Sequence, residues 1–160
     1  MNKINEFFRT MKRLKGKEFW GGGGSANTGS MLDINFGAKI SKIVRSKGKE
    51  KLIYEGEFIL YIECCSWRLI SDKGILSSNF DEINKINAGI NKILNTEVIE
   101  VKLVKKTFDL DIQFSNNHNF QIFCNQTDEE NDMDNYSLFH GEDIYVIGPN
   151  LVFKHETRAF

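Results

Sequence analysis

The chain has 160 residues, 41% of them hydrophobic and 27% charged, with a formal net charge of −1. That size fits one domain able to bury a core without disulfide or metal staples, and the composition excludes a wholly disordered chain. The longest apolar stretch, Phe58 to Ile62, is the length of a strand and far short of the roughly 20 residues a membrane-spanning helix needs. The first residues, MNKINEFFRT, lack the apolar region and small-residue cleavage site of a secretory signal, so the expectation is a cytoplasmic protein.

In chain order, Ile4, Phe7, Phe8, Met11 and Leu14 recur at spacings of three and four and predict a helix over residues 2–15, within an N-terminal segment 1–17. Lys12, Arg13 and Lys15 suit its C-terminal dipole, and Gly16 stops it. Phe19-Trp20 leads into Gly21-Gly22-Gly23-Gly24-Ser25, read as a flexible or close-packed turn. Leu32, Ile34 and Phe36 alternate with Met31, Asp33 and Asn35 in a half-buried strand ending at Gly37; Ile40, Ile43 and Val44 suggest a second strand before the charged turn at Ser46–Glu50.

Phe58 through Ile70 is the strongest strand signal, followed by a turn at Ser71–Gly74 and a returning strand at Ile75–Ser78. Asn79 or Asp81 then caps a helix near 81–94, with Ile83, Ile86, Ile90 and Ile93 on one face and a stop at Asn95. The remainder reads as a meander: Val98–Lys105, Phe108–Phe114, Phe120–Cys124, Tyr136–Phe139, Ile144–Ile147 and Leu151–Phe153. The expectation is a single α+β domain over residues 1–160. Beside the N-terminal helix in 1–17, residues 31–160 form a largely antiparallel sheet of about eight or nine strands, meander, sandwich-like or half-barrel-like, with the second helix near 81–94.

No catalytic constellation stands out. The glycine run lacks the Lys-Ser/Thr and following helix of a phosphate loop. His118, His140 and His155 show no metal-ligand spacing, although His140 lies beside Glu142 and Asp143. Cys64, Cys65 and Cys124 make a poor disulfide framework and read as reduced, with the vicinal pair inside a strand. Trp67 reads as a core anchor, with Arg68 on the alternate face paired to a carboxylate. Catalytic, metal and cofactor sites are all expected to be none, and the protein is expected not to be an enzyme.

The near-zero net charge hides a split. Residues 1–80 carry 14 Lys and Arg against 8 Asp and Glu, and residues 81–160 carry 7 against 14. Basic stretches lie at Lys12–Lys17 and Lys39–Lys51, while Asp128–Asp143 holds seven carboxylates and no Lys or Arg. A chain that coats nucleic acid is usually basic overall, and this one is not.

Phe19-Trp20 with Gly21–Ser25, the strand Leu32–Gly37, Glu57–Ile70 with its Cys65-Ser66-Trp67-Arg68 string, Tyr136–Phe139 and Tyr145–Asn150 together give the chain a layout. Over residues 15–154 that layout resembles small bacterial immunity proteins of polymorphic toxin systems, as in contact-dependent growth inhibition. The resemblance implies an antitoxin that binds and neutralises the toxin domain of a sibling cell by occlusion; such toxins are often nucleases, transfer-RNA nucleases among them. It carries over no catalytic residues; no membrane partner and no direct nucleic-acid partner are expected.

The acidic segment would attract a basic nuclease. The expected partner-binding residues are Asp128, Glu129, Glu130, Asp132, Asp134, Glu142 and Asp143, with Tyr136, Phe139 and Tyr145 as apolar anchors. The alternatives are a metal-dependent hydrolase or nuclease built from Asp and Glu, and a nucleic-acid-binding module using the basic half.

Overall fold

The computed structural model describes residues 2–24 and 31–159. Ser25, the end of the glycine run, and the Ala26-Asn27-Thr28 that follows it lie outside the described residues, as do Met1 and Phe160.

Among the described residues, two helices and eleven strands form one α+β domain. The helices are α1 (Lys3–Lys12) and α2 (Ile83–Asn91). The strands are β1 (Glu18–Gly23), β2 (Leu32–Ser46), β3 (Lys49–Ile62), β4 (Ser66–Ser71), β5 (Gly74–Ser78), β6 (Thr96–Leu103), β7 (Leu110–Phe114), β8 (Asn119–Phe123), β9 (Tyr136–His140), β10 (Asp143–Ile147) and β11 (Phe153–Thr157). They make a single sheet in the order β11-β10-β9-β3-β2-β1-β6-β7-β8-β4-β5, and every described pairing is antiparallel.

The predicted parities hold where they were clearest. Leu32, Ile34 and Phe36 of β2, Phe58, Leu60 and Ile62 of β3, and Ile112 and Phe114 of β7 are fully buried. The sheet curls so that residues from both of its ends share one core. The Phe7 ring on α1 touches Phe108 before β7 as well as Tyr145 and Phe153 at the other end of the sheet. Ile86 and Ile90 of α2, with Ile93 just after it, fill the same core. Asn2 caps α1 by accepting from the Ile4 amide at 3.0 Å. The predicted cap of α2 is displaced: Glu82 holds the cap position, Asp81 instead accepts from Ser78 N and pairs with Lys85, and Asn79 accepts from Trp67 N.

Three expectations need correction. The glycine run is not a turn: Gly21–Gly23 belong to β1, which lies between β2 and β6 inside the sheet. A side chain at Gly22 would collide with the Asp33 carbonyl, so only glycine permits this approach. Secondly, Phe58–Ile70 is two strands. β3 stops at Ile62; the amides of Glu63 and Cys64 still donate to the carbonyls of Asn135 and Asp134, just before β9, and the chain then crosses to the far part of the sheet as β4. Cys64 and Cys65 therefore sit in this crossing rather than within a strand. Thirdly, the count is eleven strands rather than eight or nine, and β2 runs unbroken through a bulge at Gly37-Ala38.

Candidate functional site

The acidic loop connects β8 to β9. Asn135, fully buried, pins it: its side chain accepts from Gln126 N at 3.0 Å and donates to the Gly148 carbonyl at 2.9 Å. Asn150 N also donates to the Gln126 carbonyl, tying the loop to the turn before β11. Held at these points, the chain leaves Asp128, Glu129, Glu130 and Asp132 exposed. Asp128 accepts from Glu130 N at 3.0 Å, and Glu129 accepts from the Asn150 amide at 2.6 Å. Asp134 is half-buried; burial pushes its carboxyl up, Lys154 at 3.9 Å opposes that, and Glu156 adds to it. Glu63, also raised by burial, accepts from Asp134 N at 2.8 Å. Glu129, Asp132, Asp134, Pro149, Val152 and Lys154 line a groove of about 350 Å³. Val152 is 47% exposed, an apolar contact that the charge pattern alone did not reveal.

The seven carboxylates do not form one patch. Glu142 and Asp143 lie at the opposite end of the β9–β10 hairpin, where His140 pairs with Asp143, while Tyr136 pairs with Ile147 beside the loop. Five residues of strand put these ends about 15 Å apart. Asp143 is also engaged: His155 Nε2 lies 2.6 Å away and Lys3 Nζ 3.7 Å away, and the His155 hydrogen bond holds the carboxyl below its ordinary value.

Two of the expected anchors are unavailable. Tyr136 and Tyr145 are 0% and 1% exposed, because they share strand parity with the inward-facing Leu138 and Ile147. The Tyr136 hydroxyl donates to the Phe108 carbonyl at 2.9 Å, and the Tyr145 hydroxyl to Glu6 at 3.0 Å. Phe139 has the other parity and is half-buried, with the Arg158 guanidinium 4.9 Å from its ring.

The remaining candidates resolve into packing. Trp67 is 1% exposed and stacks on Phe120, as expected of a core anchor. Arg68 donates to Gln121 at 2.7 Å rather than to a carboxylate. The His140 ring stacks on Phe58 at 4.2 Å, with Nδ1 3.1 Å from the Glu57 carbonyl and Nε2 3.1 Å from Arg13 Nη1. A carbonyl only accepts and a guanidinium only donates, so these contacts fit a ring carrying its proton on Nδ1. Burial pushes the Cys65 thiol up to about 12 and Cys124 higher still, the reverse of an activated nucleophile. Among the described residues no three His, Cys, Asp or Glu side chains group so as to hold a metal ion.

Sequence reasoning missed one feature. Beyond Phe36 and Phe58, where the neighbouring strands stop pairing, β2 and β3 continue only with each other from Lys39↔Gly56 to Ser46↔Lys49. Ile40, Ile43, Leu52 and Tyr54 on this arm are 51–65% exposed. The clue was available: Ile40, Ile43, Leu52 and Tyr54 lie among Lys39, Lys42, Arg45 and Lys51 on either side of the Lys47-Gly48 turn.

No family model matches the chain, and neither a curated protein nor a solved structure matches it.

Proposed function

We propose that this protein is an immunity protein: it binds the toxin domain of a contact-dependent inhibition effector, a basic nuclease, and neutralises it by occlusion without turnover of its own. The observation that carries the reading is the carboxylate-lined groove. Asp128, Glu129, Glu130 and Asp132 stand in solvent, where they repel one another, on a loop that Asn135 fixes in place. Pre-ordered carboxylates beside a concave wall of Pro149 and Val152 suit a partner whose own surface is built to grip phosphates. Glu142, Asp143 and Phe139 lie away from that groove and are assigned to the rim at most; Tyr136 and Tyr145 support the surface from within.

The test is coexpression with a toxin domain encoded directly upstream. The reading expects rescue of growth and recovery of a toxin–immunity complex. Growth arrest despite full expression would contradict it. So would hydrolysis of RNA, DNA or an ester by the purified protein that Ala at His140 abolished, which would favour the hydrolase alternative.

A further inference from the structure

We infer that the β2–β3 arm is a second, independent binding element whose ligand is duplex nucleic acid. Between Lys39 and Gly56 the arm carries Lys39, Lys42, Arg45, Lys47, Lys49 and Lys51 against two carboxylates, Glu50 and Glu55, and all six cations are exposed. Lys42 pairs with Glu55 at 3.7 Å, Arg45 with Glu50 at 2.8 Å, and Lys39 lies over the Trp20 ring. Lys47, Lys49 and Lys51 have no ion pair among the described residues, and they lie at or near the tip.

The shape of the arm matches the charge. Eight ladder pairs extend it by about 25 Å with no flanking strand, and a two-stranded ribbon is of a width that the DNA major groove admits. Lys47 and Gly48 both have positive φ, 50° and 73°, so the tip closes in two residues and stays narrow. Behind the tip, Ile43 faces Leu52 across the ladder, and both are more than half exposed. Arg45 shares the face of Ile43 and Leu52, while Lys42, Lys49 and Lys51 lie on the opposite face, so cations stand on both faces of the ribbon, toward the phosphates on either wall of a groove.

Other occupants fit less well. A second copy of the arm would bring like charges together, and lysines along a free edge oppose strand addition. A membrane surface would want apolar residues leading, whereas here Arg45, Lys47 and Lys49 lead and Ile43 and Leu52 follow. The nearly neutral net charge does not argue against a ribbon held apart from the acidic loop. Gly56 at the base of the arm and Glu63 beside that loop lie at opposite ends of the paired part of β3.

The experiment uses the purified full chain and a fluorescein-labelled DNA duplex of about 20 base pairs, read by anisotropy from about 50 to 200 mM salt. Binding is expected, with log K falling linearly with log salt. Replacing Lys47, Lys49 and Lys51 by Ser is expected to weaken binding at least about tenfold and to reduce the slope by about 2 to 3, since each phosphate contact contributes about 0.9. No binding by the wild-type chain at the lowest salt would overturn the proposal. Unchanged affinity and slope in a triple variant with native circular dichroism would do so too. Equal binding to poly-glutamate, or to vesicles of 30% phosphatidylserine in phosphatidylcholine, would replace duplex recognition by a general preference for polyanions or for a membrane. If the triple variant misfolds, the wild-type salt slope and the competition by those two probes decide the matter alone. No toxin is present in any arm, so failure here leaves the immunity reading untouched.

Discussion

The Phe108 carbonyl takes two donors in the core, the Tyr136 hydroxyl at 2.9 Å and the Cys124 thiol at 3.6 Å. Thiols are weak donors, so the hydroxyl bond dominates. Tyr136→Phe keeps the ring and removes that bond, and is expected to lower stability by about 1 to 2 kcal/mol in urea unfolding. A loss near zero would mean that the carbonyl is satisfied in another way. The same burial governs the thiols. With Cys65 pushed up to about 12 and Cys124 beyond, neither forms thiolate near neutral pH. Alkylation at pH 8 followed by mass spectrometry is expected to leave both unmodified in the native protein and to label both in denaturant; rapid native labelling would contradict the packing. Among the carboxyls, hydrogen bonds from Lys3 and Tyr145 hold Glu6 below its ordinary value, as the bond from His155 does for Asp143. A depressed carboxyl stabilises the fold above its unfolded value, about 4, and that contribution disappears as pH falls through the lower folded value. The urea midpoint of a Glu6→Gln, Asp143→Asn variant is therefore expected to depend less on pH below about 4 than that of the wild type. Equal acid slopes would show that these bonds carry no linkage.

At the scale of elements, the two helices and most hairpins were legible because an apolar residue every two or every three to four positions is a local signal. What stayed hidden has a physical reason in each case. β1 sits between β2 and β6, yet three glycines cannot display an alternation, and their role is the close backbone approach at Gly22. The end of β3 was invisible because Cys64-Cys65 joins two apolar runs with neither glycine nor proline between them, while the crossing depends on strand order, which no local pattern encodes. The acidic loop was legible as a charge run. The burial of Tyr136 and Tyr145 was also readable, since each lies two residues from a strand neighbour, Leu138 or Ile147, of the same parity. The arm gives the sharpest test at this scale. Among the described residues no other strand pairs with it, and its ties to the rest of the chain, Glu55 to Arg158 and Lys39 over Trp20, lie at its base, so replacing residues 42–53 by Asn-Gly, a favourable two-residue turn between Ser41 and Tyr54, is expected to leave the urea midpoint nearly unchanged. A large loss would mean that the arm is part of the cooperative core.

For the whole molecule, the curled sheet keeps two oppositely charged features apart, the carboxylate groove where β3 ends and the cationic arm where β3 begins. The average charge of −1 conceals this arrangement, and strand order, which no local pattern encodes, creates it. The proposed capture of a basic toxin by the acidic loop is a matter of electrostatic encounter. Its most direct test is the association rate between the toxin domain and this protein, measured by stopped flow from low to high salt. The wild type would be compared with a variant carrying Asp128→Asn, Glu129→Gln, Glu130→Gln, Asp132→Asn and Asp134→Asn. Because steering by charge acts on encounter, the variant is expected to associate about tenfold or more slowly at low salt, with a flattened salt slope. An association rate and a salt slope both equal to those of the wild type would contradict it.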